Sequence, residues 1–555
     1  MQETDPPSPD TSSDHQLGEK EVIADGDHGL SPATDEEPKD YASGLKLVLF
    51  MLAIGMSTFL VGLELGIIST AIPGITDKFH RVQDIGWYGC ATFLVVASVS
   101  SMWGKVFKYL NVKVAYLVAI FIVLVGSVVS AAAPNSASVT VGRAIQGWGI
   151  AGTLSGSVIL INLVSHPKKH PMLIGIWTGI FVIATILGPL VGGAFTSGVS
   201  WRWCFWINLP LGAPIIALVV FFIHMPKHAK PAPATWKEIL LQLDVPGFVF
   251  LLASLVCLAL ALQQGGQTHA WSSGSTIALL VLWPVFTIIF FVIEFFQGAR
   301  AIVPLAILKP RLTWSNALFA FFTNAANYQV IFYLPIYFQS VHGMSAIKSG
   351  IHLLPFLAFF ALGAVASGAI IGKTRYLQPY ELLSGILSTA GMALFYTLEV
   401  DSSLARYVGP QILFGFGLGF GNQIPMTAVQ GLSKPEDMAS SSGLILMMQA
   451  ISGTYFILIA GSLFTNRMLD TLRVSHPTFN VGQVISTGAS EIQHVFQGED
   501  LAAVLDAYMV GIKAVFAFSL ATCALTVLIA LVIPFRRLHD HAAEKKGDVE
   551  LEPSV

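Results

Sequence analysis

Fourteen blocks of about twenty apolar residues, the first beginning at Leu45 and the last ending near Pro534, are the constraint that every other reading of this chain must satisfy. The hydrocarbon core of a bilayer is about 30 Å thick, and a helix needs about 20 predominantly apolar residues to cross it. Each block therefore reads as a transmembrane helix. The spacing predicts spans at 45–71, 85–104, 112–133, 139–163, 172–195, 205–224, 244–263, 275–297, 312–338, 347–372, 380–398, 405–430, 438–464 and 508–534. Function becomes a matter of passage across a membrane.

Composition agrees, since 54% of the residues are hydrophobic and only 11% are charged, about half the charged share of a soluble domain. The charge is unevenly placed. Residues 1–40 gather Asp5, Asp10, Asp14, Glu19, Glu21, Asp25, Asp27, Asp35, Glu36 and Glu37 among Pro, Ser and Gly. Such a segment cannot bury enough apolar surface to offset its ordering entropy, and it reads as a disordered tail. It lacks the basic start and apolar core of a signal peptide, which leaves the first span as the insertion signal. Cys90, Cys204, Cys257 and Cys523 fall in or beside apolar spans with no metal-ligand spacing, and they read as packing residues.

Lys and Arg set the expected orientation. Connections on the side of the two tails carry Lys105, Lys108, Lys113, Lys168, Lys169, Lys227, Lys230, Lys237, Arg300, Lys309, Arg311, Lys373 and Arg375, whereas the alternate connections are poorer in cations. Both termini are expected in the cytoplasm, with the long 466–507 loop on the opposite face. The order is six spans, two spans, six spans. This divides the chain into a disordered acidic cytoplasmic tail (1–44), a first six-helix half (45–224), a cytoplasmic linker (225–243), two additional helices (244–298), a second six-helix half (299–534) and a cytoplasmic tail (535–555).

Two nucleotide-site patterns fail on context. Gly147, Gly149 and Gly152 form GxGxxG inside an apolar helix rather than after a strand, and the GAIIGKT string at 368–374 is one residue short of a phosphate-binding loop. Close packing through small residues explains both. With no nucleotide site, no nucleophile beside a His and an acid, and no metal cluster, the chain does not read as an enzyme, and no cofactor or nucleic-acid partner is expected.

Charges inside the spans carry the functional reading, because a buried carboxylate or guanidinium costs several kcal/mol unless it is paired or hydrated. Glu64 falls in the outer half of the first span and Arg143 enters the fourth from the outer side, at similar depth. A purely structural ion pair is one reading. The other makes Glu64 the proton-coupling group, since a carboxylate exchanges protons, with Arg143 tuning it. Glu294 is expected to snorkel toward Arg300, and Asp244 to cap a helix. In the second half amides and aromatics replace charge. Asn327, Tyr328, Phe332, Gln423 and Gln449, with Gln146 of the fourth span, suggest an aromatic, uncharged polar substrate cavity.

The motifs are specific enough to carry a resemblance. ILGPLVGGAF in the fifth span presents Gly188, Pro189, Gly192 and Gly193, with Gly175 preceding them, and is similar to the antiporter motif of exporters, Ala184 standing where that motif has a further glycine. RAIQGWG (143–149), WRWCFWINLPLG (201–212), YLPIYFQ (333–339) and SGIHLLP (349–355) point the same way. The chain resembles the major facilitator superfamily, and within it the fourteen-helix drug:proton antiporters, especially fungal toxin and multidrug efflux pumps. The resemblance implies an all-α polytopic fold of two six-helix halves plus two extra helices, proton coupling through Glu64 and Arg143, and conformational roles for the glycines. It also implies departures. Glu64 stands where the family motif usually has Asp, and the loop after the second span keeps Gly104 and Lys105 but has Lys108 in place of a gating aspartate.

The expected function is a proton-coupled exporter of small amphipathic organic compounds, such as toxins, secondary metabolites or drugs, acting as a monomer in the plasma membrane or a vacuolar membrane. Its partners are substrate, protons and the lipid bilayer. A siderophore or amino-acid carrier of similar fold, or a non-transporting nutrient receptor, are the alternatives. With Glu64 assigned to protons, the cavity favours uncharged or weakly acidic cargo over strongly cationic cargo.

Overall fold

The structure, a computed structural model, describes residues 41–537 except 166–169, 224, 226–232, 234, 267–268, 302–304, 433–437, 476–483, 485–486 and 488–490. The acidic 1–40 segment, residues 538–555 and residues 226–232 and 234 of the 225–243 linker thus lie outside the described residues, while Trp236–Gln242 of the linker form a short helix. Fourteen helices of fifteen or more residues run through the described part. They are α1 (Gly44–Phe79), α2 (Ile85–Tyr109), α3 (Val112–Ala131), α4 (Ser136–Val164), α5 (His170–Gly198), α6 (Asn208–Phe222, entered through a one-turn helix at Trp203–Trp206), α7 (Val245–Gln264), α8 (Gly274–Gln297), α9 (Arg311–Ile336), α10 (Ala346–Thr374), α11 (Gln378–Tyr396), α12 (Leu404–Asn422, continued by Ile424–Leu432), α13 (Met438–Ser475) and α14 (Gly498–Val532). A helix lets apolar side chains face lipid while each backbone group bonds within the segment.

Helix starts follow local side-chain chemistry. Asn111 accepts from the Lys113 and Val114 amides at the head of α3, Asn135 from Ser138 at the head of α4, and Ser345 from Lys348 at the head of α10. Asp244, with φ at 50°, accepts from the Gly247 amide and caps α7 as its sequence position suggested.

Eleven helices are long and apolar enough to cross a membrane, and the bent α2 makes twelve. The remaining two, α9 and α11, carry more polar residues because protein rather than lipid surrounds much of them. In α9 Asn316, Thr323, Asn324 and Gln329 are all buried. By contrast Phe121 on α3 and Ile288, Phe291, Phe295 and Phe296 on α8 are exposed, as lipid-facing side chains should be. Two helices outrun their apolar blocks. α13 continues to Ser475 and α14 starts at Gly498, so the expected 466–507 loop is shorter, and the extra turns of α13 bury Met468, Leu469 and Leu472.

Within the first group α1 packs on α5 and α6, and α4 packs on α2 and α3. Within the second, α12 packs on α10 and α11, and α14 on α9, α11 and α13. The groups meet along two seams, α2 with α13 and α5 with α10, and α1 also touches α9. The added α7 and α8 pack on each other, and α7 reaches both α2 and α13. For description, the near end is where α1 begins at Gly44 and the far end is where it finishes at Phe79.

Candidate functional site

Glu64 and Arg143 meet, as their matched depth suggested. Arg143 Nη1 donates to Glu64 Oε1 at 2.6 Å, and both side chains are 0% exposed. The second carboxylate oxygen accepts from Asn208 Nδ2 of α6, which also donates to Ser127 Oγ of α3 at 3.0 Å. Arg143 Nε donates to the Tyr88 carbonyl at 3.2 Å. Four helices of the first group thus hold one ion pair, and both carboxylate oxygens are satisfied. Such a pair is costly to break on one side only, because the survivor is left charged and dry. The pair sits inside the first group, and through the Tyr88 carbonyl it reaches the seam helix α2. Gln146, expected on the cavity wall, belongs here too: it is 0% exposed and its Nε2 donates to Ser127 Oγ at 2.9 Å.

Asn208 and Ser127 were not anticipated. Asn208 had a signal, since an amide in the middle of the apolar WINLPLG string needs a partner, but nothing in the sequence said that the partner was Glu64.

The glycines of α5 divide into two faces. A Cβ on Gly188 would lie 2.6 Å from Gly66 Cα, and one on Gly192 2.6 Å from the Ile67 carbonyl. Both therefore seat α1 against α5 inside one half. Pro189 cannot donate to the Thr185 carbonyl, and Gly66 packs beside that oxygen, while the Pro189 carbonyl accepts from Thr70 Oγ1 at 3.1 Å. Gly193 faces the other way. Its Cβ would lie 2.5 Å from the Ala346 carbonyl of α10, across the seam, and Gly350 of α10 approaches the Pro189 carbonyl with the same closeness, 2.6 Å.

Along both seams the closest glycine contacts lie toward the far end. At 3.6 residues per turn, residues eighteen apart lie on the same helix face five turns along. Gly193 has such a partner in Gly175, and Gly350 has one in Gly368. Each far-end member is pressed against the opposing backbone, whereas each near-end member has nothing within 4 Å. The α2–α13 seam repeats the pattern. Gly461 would place a Cβ 3.3 Å from Gly86 Cα, but eighteen residues away Gly104 and Gly443 again have nothing within 4 Å. Part of the divergence is built into α2, which bends by 48° between Ser100 and Met102. The two groups touch at the far end and part at the near end, leaving a cleft that opens to the near end.

Aromatic side chains close the cleft above its middle. Tyr328 of α9 packs on Phe93 of α2 with ring centroids 4.5 Å apart, and Gly453 of α13 lies against both rings. Phe332, one turn on, is buried against Gly89 of α2. Asn327, Gln423 and Gln449 are half-buried on α9, on the turn after α12 and on α13, and no hydrogen bond joins them among the described residues. The structure thus joins Tyr328 to the first group through Phe93 and Phe332 through Gly89, two residues without any sequence signal.

Two six-helix groups, two added helices and a one-ended cleft between the groups are the frame in which the comparisons with known proteins fall. The family model described as Major Facilitator Superfamily matches residues 54–457. The chain belongs to that superfamily. Among superfamily members, the dehydrocurvularin exporter of Aspergillus terreus is 61% identical over 93% of this chain and 90% of its own length. Efflux pump notK of Aspergillus sp. (strain MF297-2) is 60% identical over 94% of this chain and 92% of its own. A solved structure of a bacterial homolog of the human lysosomal transporter Spinster, inward-facing and unoccupied, shares the fold with a TM-score of 0.62 at 17% identity, covering 89% of this chain and 98% of that one. This superfamily member is a multi-pass membrane transporter and not an enzyme.

The segment expected to form the loop after the second span is instead the last turns of α2. Lys105 Nζ donates to the Arg300 carbonyl and lies near the carboxylates of Asp244 and Glu294, which are 0% and 1% exposed. Glu294 is buried rather than snorkelling to solvent. Asp244 also accepts from Gln297. Lys105 therefore ties the near end of α2 to both added helices. Lys108, which replaces the expected aspartate, is exposed over the Tyr109 ring.

Proposed function

We propose that this superfamily member is a proton-coupled antiporter that exports small amphipathic organic molecules from the cytoplasm by alternating access. The observation that carries the reading is the cleft, closed at the far end by glycine-backbone contact and lined at the near end by glycines with open space before them. Bistable seams of this kind suit two halves that rock about a central site. The cation-rich connections support a cytoplasmic near end, so the cleft faces the compartment from which an exporter loads. The named activities of the two relatives support export as the direction, and they make dehydrocurvularin the first compound to test.

Glu64 supports proton coupling because it is a protonatable group held by a cation that cannot give up its own proton. Protonation of Glu64 weakens its hold on Arg143, which releases α4 from α1 and lets the first group change shape. Substrate binds between the groups below Tyr328, where aromatic faces and the amides of Asn327, Gln423 and Gln449 offer stacking and hydrogen bonds without fixed charge.

The deciding experiment uses purified protein in vesicles with an imposed proton gradient. Substrate accumulation that collapses with a protonophore supports antiport. Gradient-independent equilibration of substrate overturns it, and displacement of a reporter by quaternary ammonium compounds in preference to neutral compounds of equal size overturns the cargo assignment.

A further inference from the structure

A second carboxyl group is buried in the opposite half, with no part in the Glu64 cluster. Glu381 occupies the first turn of α11, is 0% exposed, and neither of its carboxyl oxygens has a hydrogen-bond partner. Its helix packs on α12 and α14, and Phe319 of α9 closes against the same end. None of these elements brings a cation to it. α12 carries no ionisable side chain from Phe414 to Gln423, and α14 offers only the Cys523 thiol between Thr522 and Val532. α9 offers Arg311, which is exposed and donates through Nε to the Val532 carbonyl. On and just before α11 itself are Arg375, Tyr376 and Tyr380, of which Tyr376 stacks on Phe535 and Tyr380 packs on Phe420.

An ionised carboxylate in such a place has lost its water and gained neither a donor nor a counter-ion, which is the most expensive state a carboxyl can occupy. The neutral acid avoids that cost and adds an O–H donor. Acceptors with unspent capacity are present in the same helices: Asn316 Oδ1 on α9 and Ser388 Oγ on α11, two turns beyond Glu381, are both buried without partners. Glu381 also stands at the near end, one turn from Leu377, which clusters with Leu312 of α9, Ile371 of α10 and Ile424 beyond α12. α10 is a seam helix, and any shift of it on α11 during closure of the near end is felt in this cluster through Ile371.

We propose that Glu381 is a second proton-binding site, occupied by a proton while the near end is open and emptied when closure of that end rearranges the α10–α11–α12 contacts. Its contribution to transport rests on the antiport reading above, whereas its occupancy stands on the burial and bonding of the side chain alone.

The test separates the two. Infrared spectra of the purified full-length protein at neutral pH are expected to contain the carbonyl band of a protonated carboxylic acid in the wild type and in Glu64→Gln, to lose it in Glu381→Gln, and to keep a shifted band in Glu381→Asp. Glu381→Gln copies the shape of the neutral acid and is expected to fold. A band unchanged in Glu381→Gln overturns the site. In vesicles, Glu381→Gln is expected to exchange fewer protons per substrate than the wild type and to flatten the pH dependence of transport. An unchanged proton count and pH profile, with the band lost, overturns the coupling role. Substrate movement without proton movement in the wild type sinks the antiport reading, and the infrared band then still decides the site.

Discussion

At the scale of single residues, the Glu64 cluster separates charge from shape. In Glu64→Gln one oxygen remains for Arg143, while the new amide NH2 meets Asn208. Asn208 can turn its own amide over, because its Oδ1 is buried without a partner and is free to accept. The variant is therefore expected to reach the membrane in normal amount and bind substrate, yet to lose gradient-driven transport. Vesicle uptake checks this, and wild-type accumulation by the variant would remove Glu64 from the coupling step. Arg143→Met is different in kind. It leaves a carboxylate with no counter-ion at 0% exposure, where removing one partner of a buried pair costs about 3–5 kcal/mol. Thermal unfolding in detergent is expected to show a large loss, partly recovered in the double variant with Glu64→Gln. The pairing of Glu64 with Arg143 was legible in the sequence because two isolated charges at equal depth have few ways to satisfy one another. The Asn208 and Ser127 contacts were not, since polar residues in apolar helices announce a need for a partner without naming it. Glu381 escaped notice for a related reason: placed only a few residues from the Lys373 and Arg375 connection, it reads as a surface carboxylate until the packing of four helices around it is known.

At the scale of helices, the α5 motif does two jobs that one string of glycines conceals. A methyl group on Gly188 meets the α1 backbone inside one half, so Gly188→Ala is expected to lower stability, overpacking typically costing about 1–3 kcal/mol, and to reduce folded protein. A methyl group on Gly193 meets the Ala346 carbonyl across the seam. Gly193→Ala is expected to fold and to shift the protein away from the near-open state, read as altered accessibility of cleft residues to a thiol reagent. Equal losses of folded protein in the two variants would show that the two faces are not distinct. Lys105 makes a similar distinction among the elements at the near end. Lys105→Gln removes a cation that lies near Asp244 and Glu294 and is expected to reduce folded yield, whereas adding Asp244→Asn and Glu294→Gln restores it; a strictly additive triple variant would deny the coupling. The number and order of helices were legible from apolar period alone, including α9 and α11, whose polarity hides them from a simple hydropathy threshold. The ends of α13 and α14 were not, because the extra turns alternate polar residues with a few apolar ones, among them Met468, Leu469, Leu472 and Val504, whose burial depends on neighbours that an apolar period does not name.

At the scale of the whole molecule, the conformational argument reduces to a register. α2 and α13 run antiparallel, and the alignment that sets Gly86 against Gly461 also sets Gly104 against Gly443. The first pair is in contact and the second is open, with the 48° bend of α2 falling between them. Straightening α2 along α13 would bring the second pair together, and the same rocking would release the first, since two packed halves cannot zip at both ends around a cleft. A Gly104→Cys, Gly443→Cys protein tests this directly. The four native cysteines are all buried, so the introduced pair dominates reaction with an oxidant. On the antiport reading proposed above, little disulfide is expected while substrate holds the near end open, and much more when the protein turns over under a proton gradient. Once formed, the bond should stop transport, and reduction should restore it. If the bonded protein transported at the unmodified rate, the near ends of α2 and α13 would not be a gate, and the glycine pairs would be no more than close packing at one end of a static seam.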